Sequence, residues 1–319
     1  MELSMELEAY MKMPEQELAA RIAREKKEKN AVILAHNYQR LEVQKVADHR
    51  GDSLGLSIIA SKTDADVVVF CGVNFMAESA KILSPEKTVL LPEIRATCPM
   101  ADMVSAEALA RAKREHPGRA VVAYVNTTAE VKALVDICCT SANALKVVRQ
   151  FSGREILFVP DKNLGHYINK ATGAGMHLWD GYCHVHNFFT VKDVRRNREA
   201  HPEAVFLVHP ETPPDVVALA DLVLSTSGMV RYVESMKTEE EKRNGVIIGT
   251  EVGLVEQLRY THPDIGIWPL GEYAVCGTMK MTTLPKVCWS LETGHYEITL
   301  PDIILERARA SLEKMIAIT

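Results

Sequence analysis

The chain has 319 residues, 47% hydrophobic and 25% charged, with 37 Lys and Arg against 42 Asp and Glu for a formal net charge of -5. That length exceeds one ordinary hydrophobic core and predicts two or three domains, and the composition excludes a disordered or low-complexity chain. The acidic balance lacks the basic face of nucleic-acid binders, no run reaches the roughly 18 apolar residues of a membrane helix, and charges interrupt the apolar positions of residues 1–30, unlike a signal peptide; no membrane and no nucleic-acid partner are expected, and a cytoplasmic location is.

In chain order, β-branched runs recur as AVILAHNYQ from Ala31, DVVVFCGVN from Asp66, TVLLPE from Thr88, AVVAYVNTT from Ala120, EILFVPDKN from Glu155, AVFLVHPET from Ala204, LVLSTSG from Leu222 and GVIIGTEVG from Gly245. Each leads into polar residues and then a helical pattern: Val43, Val46 and Ala47 fall at helical spacing after the first run, and PPDVVALADL opens with prolines where a first helical turn tolerates them. Continuous apolar strands alternating with helices predict the α/β class with parallel sheet. The last segment, PDIILERARASLEKMIAI, is predicted as a closing helix with Ile303, Ile304, Ala308 and Leu312 on its apolar stripe.

The strand exits carry His36, Asn37 and Tyr38; Asn74 and Glu78; Tyr124 and Asn126; Asp161, Lys162 and Asn163; His209 and Glu211; Ser225 and Thr226; Thr250 and Glu251. Open parallel sheets bind ligands outside the carboxyl ends of their strands, so the apolar part of each run reads as core and its polar end as site. His36 with Tyr38, and His209 with Glu211, pair an imidazole with a second proton-transfer group at i+2, on the same side of an extended chain. Short donors near predicted helix starts, including Ser53, Tyr124, Asn126, Ser141 and Thr226, would suit a compact ligand rich in oxygen, although any one of them also suits a helix cap. Neither G-x-G-x-x-G nor the phosphate-loop lysine motif occurs.

Seven cysteines form no C-x-x-C pair, and core packing is the ordinary reading of free cysteine. Context separates Cys98, Cys183 and Cys276, each in a turn-like segment, from Cys71 in a strand and from Cys138 and Cys139 in an apolar-flanked stretch. Three thiolates meeting between three units would bind a 4Fe-4S cluster and leave one iron open as a Lewis acid. The spacing of these cysteines suggests three units of about a hundred residues, with expected boundaries at 1–104, 105–188 and 189–285 and a closing segment at 286–319. A zinc hydrolase or lyase built on His36, His186, His209 and a cysteine, and an iron-sulfur sensor, are the rival readings. Against the sensor stand the acidic charge balance and the many polar strand ends.

The stretches HNYQ, GDSLGLS, FMAESAKIL, ATCPMA, YVNTTAE, TSANA, PDKNLGHY, GYCHVH, HPE, STSGM and CGTMKM together resemble the quinolinate synthase family over most of the chain. The resemblance implies three similar three-layer α/β/α domains around a pseudo-threefold axis, with the active site at their junction. It implies condensation of iminoaspartate with dihydroxyacetone phosphate to quinolinate, with loss of phosphate and water, in de novo NAD synthesis. Carried over by position, Cys98, Cys183 and Cys276 hold a 4Fe-4S cluster with one open iron. Substrate contacts come from His36, Ser53, Tyr124, Asn126, Ser141, His209, Glu211 and Thr226. His36, Tyr38, His209 and Glu211 are the expected catalytic groups. Iminoaspartate is short-lived in water, so an upstream aspartate-oxidising enzyme is the expected partner.

Overall fold

The computed structural model describes residues 5–318. Its strands are β1 Ala31–His36, β2 His49–Gly51, β3 Val67–Cys71, β4 Thr88–Leu90, β5 Ala120–Tyr124, β6 Ile137–Cys139, β7 Ile156–Val159, β8 His177–Leu178, β9 Val205–Val208, β10 Leu222–Val223, β11 Val246–Gly249 and β12 Ile267–Pro269. They form three four-stranded sheets of one repeated order, β2-β1-β3-β4, β6-β5-β7-β8 and β10-β9-β11-β12, and every pairing between named strands is parallel. Helices flank all three, giving three α/β/α layers in succession.

The apolar runs become the inner strands because both of their faces are covered. In β1, Ile33 and Ala35 join a cluster with Leu18 and Ile22 of the helix Glu15–Glu28 and with Val287 and Leu291 of the helix Leu284–Thr293. Val32 and Leu34 turn instead to Leu54, Leu56, Phe75 and Ala77 on the other face. β9 divides likewise, with Phe206 and Val208 in one cluster and Leu207 in another.

Four strands have no counterpart among the predicted runs: β2, β6, β8 and β12. Each spans two or three residues, too few to show a period of two, and pairing with a longer neighbour creates them. The closing helix runs Asp302–Ala317 and buries Ala308, Ser311, Leu312 and Met315 against β6 and the helices Asn74–Leu83 and Ala129–Lys132. Ile303, expected on its apolar stripe, is half exposed, because the covered face lies one position round the helix, toward Ile304 and Ser311.

At the amino end of each sheet an aspartate joins the edge strand to the central one. The Asp48 N–H donates to the Ile33 carbonyl at 2.9 Å while its carboxylate accepts from the Ile33 N–H at 2.8 Å. Asp136 makes the same pair of bonds with Val121, and Asp221 with Phe206. These fix the register that carries through to the opposite end.

Candidate functional site

At the carboxyl ends the register sorts the polar residues into equivalent sets. Tyr124 pairs with Cys139, His36 with Gly51, and Val208 with Val223, which sets His209 opposite Leu224. Counting from these positions, the central strands end in His36, Tyr124 and His209. Two residues later come Tyr38, Asn126 and Glu211, and two residues beyond the edge strands' partners come Ser53, Ser141 and Thr226. Each cysteine stands three residues before a short 3₁₀ turn: Cys98 before Ala101–Met103, Cys183 before His186–Phe188 and Cys276 before Met279–Met281. All twelve side chains, four from each sheet, line one partly open cavity.

Helix capping falls to neighbours of the predicted hydroxyls. Asp52 caps the helix Ser53–Lys62 and Ser225 caps Thr226–Ser235; Thr226 Oγ1 instead accepts from Asn37 Nδ2 at 2.9 Å, tying the third sheet to the first. Both helices start at the cavity wall, where their unpaired N–H groups carry partial positive charge. No lysine or arginine is among the described residues lining the cavity.

The backbone N–H of Tyr38 donates to His36 Nδ1 at 3.2 Å, and that of Glu211 to His209 Nδ1 at 3.4 Å. Both imidazoles therefore carry their proton on Nε2, which in His209 donates to Ser141 Oγ at 3.1 Å. Burial lowers each of them to a pKa of about 3, against the pull of the Glu211 charge. The Glu211 carboxylate accepts from the Tyr124 hydroxyl and lies 2.8 Å from His186 Nδ1. Burial alone would raise it, but the imidazoles of His186 and His209 and these hydrogen bonds hold it below the usual carboxylate range. Beyond His186 the chain continues: Nε2 meets Thr250 Oγ1 at 2.8 Å, and Thr250 meets the Tyr38 hydroxyl at 2.6 Å. An unbroken path of hydrogen bonds thus runs from Tyr38 through Thr250, His186 and Glu211 to Tyr124.

His186 and Thr250 were legible only as a rival zinc ligand and as a strand exit; nothing in their spacing joins them to Glu211. Asn126 lines the cavity as well, and its Oδ1 is a buried acceptor with no partner among the described residues.

Burial pushes the Cys98 thiol up to about 12 and raises Cys183 and Cys276, against N–H groups of the adjoining turns. Such thiols stay protonated unless a cation replaces the proton. Among the described residues, the thiol, imidazole and carboxyl ligand atoms within 4.8 Å of one another belong to Cys183, His186 and Glu211, a group that could hold a metal. The three cysteines do not draw together that closely. Zinc–sulfur bonds of about 2.3 Å put sulfurs around one tetrahedral ion only about 3.8 Å apart, so the thiol set suits a polynuclear centre better than a single ion. Of the histidines in the zinc reading, His186 belongs to that group with Cys183, whereas His36 and His209 do not.

Three parallel sheets that turn buried acids, imidazoles and thiols onto one cavity have the layout of an α/β enzyme, with a candidate active site at the strand ends. Residues 20–317 match the family described as quinolinate synthetase A protein. The chain is 52% identical over 301 residues to the quinolinate synthase of Methanoregula boonei, covering 94% of this chain and 98% of that one. It is 51% identical over 292 residues to that of Geobacter metallireducens, covering 92% and 94%, and 49% identical over 301 residues to that of Dehalococcoides mccartyi, covering 94% and 98%. The chain belongs to the quinolinate synthase family and is an enzyme. No helix among its described residues is long and apolar enough to cross a membrane.

Proposed function

We propose that the chain condenses iminoaspartate with dihydroxyacetone phosphate to quinolinate, as a step of de novo NAD synthesis in the cytoplasm, with a 4Fe-4S cluster on Cys98, Cys183 and Cys276. The observation that carries this reading is the gathering of four register-equivalent residues from each sheet around one cavity. The two substrates together contain the seven carbons and the nitrogen of the product. Their surplus oxygen leaves as one phosphate and two waters, so no oxidant is needed.

With no lysine or arginine among the described residues lining the cavity, the anionic groups of the substrates would be held by the N–H groups opening the helices Ser53–Lys62 and Thr226–Ser235, with Ser53, Ser141 and Thr226 adding hydroxyls. His36 and His209, kept neutral, donate from Nε2 to carboxylate, carbonyl or phosphate oxygens. The unpartnered Asn126 Oδ1 accepts from an imine or enamine N–H. Removing a proton from the carbon beside the imine makes that carbon the nucleophile. The path from Tyr38 through Thr250 and His186 to Glu211 can take such a proton at the Tyr38 end and store it as imidazolium beside the Glu211 carboxylate. The same path returns a proton to the departing hydroxyl, and Tyr124 stabilises the Glu211 charge meanwhile. When bound, a cluster with three thiolate ligands supplies one iron as a Lewis acid for loss of water. Iminoaspartate decays in water, so an enzyme that oxidises aspartate is the expected supplier.

Anaerobic purification with an ultraviolet-visible spectrum, iron and sulfide counts, and an assay for quinolinate tests the reading. Broad visible absorbance with about four irons and four sulfides, and product formation, support it. A colourless protein that holds zinc, and that iron and sulfide fail to reconstitute, would replace it with a mononuclear centre on Cys183, His186 and Glu211.

A further inference from the structure

Tyr38 and Cys276 belong to different sheets, yet an ion pair of a buried carboxylate and a part-buried ammonium fastens one backbone to the other. Glu251 follows β11 by two residues and is fully buried. Its carboxylate accepts from the Cys276 N–H at 3.1 Å and from the Gly253 N–H at 2.7 Å. Lys280 lies on the turn after Cys276, and its Nζ stands 3.1 Å from Glu251 Oε1. The shortest bond of that ammonium, 2.6 Å, goes to the backbone carbonyl of Tyr38. Neither charged residue lines the cavity.

The chain makes room for this junction. A Cβ on Gly253 would fall 2.4 Å from Lys280 Nζ, 2.8 Å from Glu251 Oε2 and 2.9 Å from the Tyr38 carbonyl oxygen, so all three groups converge on the space glycine leaves open. The register-equivalent Asp161 also accepts from its cysteine, through the Cys183 N–H at 3.1 Å, but no lysine among the described residues joins it: Lys162 pairs with Asp180 at 2.7 Å. In the first sheet the equivalent residue is Val73. A buried carboxylate that holds a cysteine loop therefore occurs twice, and the added cation occurs where Tyr38 has to be reached.

We propose that Glu251 and Lys280 are positioning residues, fixing the backbone of Cys276 to that of Tyr38 so that the phenol keeps its place against the metal centre and the substrate. Buried ion pairs are weak stabilisers compared with packed apolar groups, and a displacement of about 1 Å near the reacting atoms can cost a hundredfold in rate; geometry is what this pair supplies. The inference rests on the function proposed above.

The test compares Lys280→Met, the double variant Glu251→Gln with Lys280→Met, and Lys280→Arg, each purified anaerobically as the full chain beside the wild type. Lys280→Met should lower kcat about ten- to a hundredfold with KM changed less than about threefold. In iron-free protein it should speed alkylation of Cys276 severalfold, with Cys183 as the internal reference in the same peptide mass spectra. The double variant leaves no lone buried charge, so its thermal midpoint should return toward wild type while kcat stays low and Cys276 stays reactive. Lys280→Arg should recover part of the rate. If kcat instead recovers together with the thermal midpoint, or if Lys280→Met changes neither kcat nor Cys276 reactivity, the pair is structural and the proposal is overturned. Should Lys280→Met fail to fold, Gly253→Ala presses the same groups apart without altering charge, and an unchanged kcat there counts equally against it. A wild type that neither holds iron nor makes quinolinate would defeat the proposed function itself, a result separate from any difference among variants in Cys276 alkylation.

Discussion

The two ends of the three sheets treat the same register differently. At the amino ends, Asp48, Asp136 and Asp221 occupy one equivalent position and make one identical pair of bonds. At the carboxyl ends, equivalent positions diverge: His36, Tyr124 and His209 in one set, Tyr38, Asn126 and Glu211 in the next, and Val73, Asp161 and Glu251 in a third. A stitch between two strands is the same task in every sheet and is met by the same residue. A cavity with the proposed task of binding two unlike substrates and moving protons would need unlike groups on its walls, so beyond the three cysteines and the hydroxyls of Ser53, Ser141 and Thr226 the repetition there lies more in the backbone than in the side chains.

The sharpest ways to break the comparison lie at the carboxyl end, at one residue that repeats in every sheet and one that does not. Cys98→Ala should abolish the visible absorbance and quinolinate formation together; iron content at the wild-type level with full turnover would remove the cysteine from the proposed centre. Glu211→Gln keeps the hydrogen-bonding shape but not the charge that gathers His186 and Tyr124. It should retain iron and lose about two to four orders of magnitude in kcat. Turnover within a fewfold of wild type would reduce Glu211 to packing.

A smaller effect follows from the imidazoles. His36 and His209 are depressed to about 3 by burial, whereas an unfolded chain protonates histidine near 6.5. Below about pH 6.5 the unfolded state then binds more protons, and stability falls as pH falls, by roughly 1.4 kcal/mol per pH unit for each histidine, until the folded-state value is reached. Glu211, also depressed, adds loss of the same sign only below about pH 4.3. Unfolding midpoints of wild type measured from pH 7 to 5 should therefore decline more steeply than those of His36→Gln with His209→Gln, and parallel curves would contradict neutral, buried imidazoles. The smallest change belongs to the amino end: Asp136→Asn should lower stability by about 0.5–1.5 kcal/mol, the worth of one hydrogen bond, with kcat held within twofold. A large fall in kcat would mean that the two ends are not independent.

Much of the site was readable before folding because inner strands announce themselves. A run such as AVILAH is apolar where both faces are covered, and its polar continuation marks the place where cover ends. The same logic fails for edge strands such as HRG at β2 or ICC at β6, whose three residues show no period, and for Asp48, Asp136 and Asp221, whose shared role no sequence pattern marks. It also misplaced the exposed Ile303, since a helix's apolar stripe depends on what it is packed against.

The sequence by itself determined the parallel α/β class, the core of each inner strand and the polar character of each exit, because burial of a short segment is a local property written in its side chains. The tertiary structure alone decided which exits face one another. His186 meets Glu211 and Thr250, Thr250 meets Tyr38, and Glu251 meets Lys280, each across tens of residues. Such pairs leave no periodic trace, since a hydrogen bond depends on ångström-scale placement of atoms that only the packed sheets and their register provide.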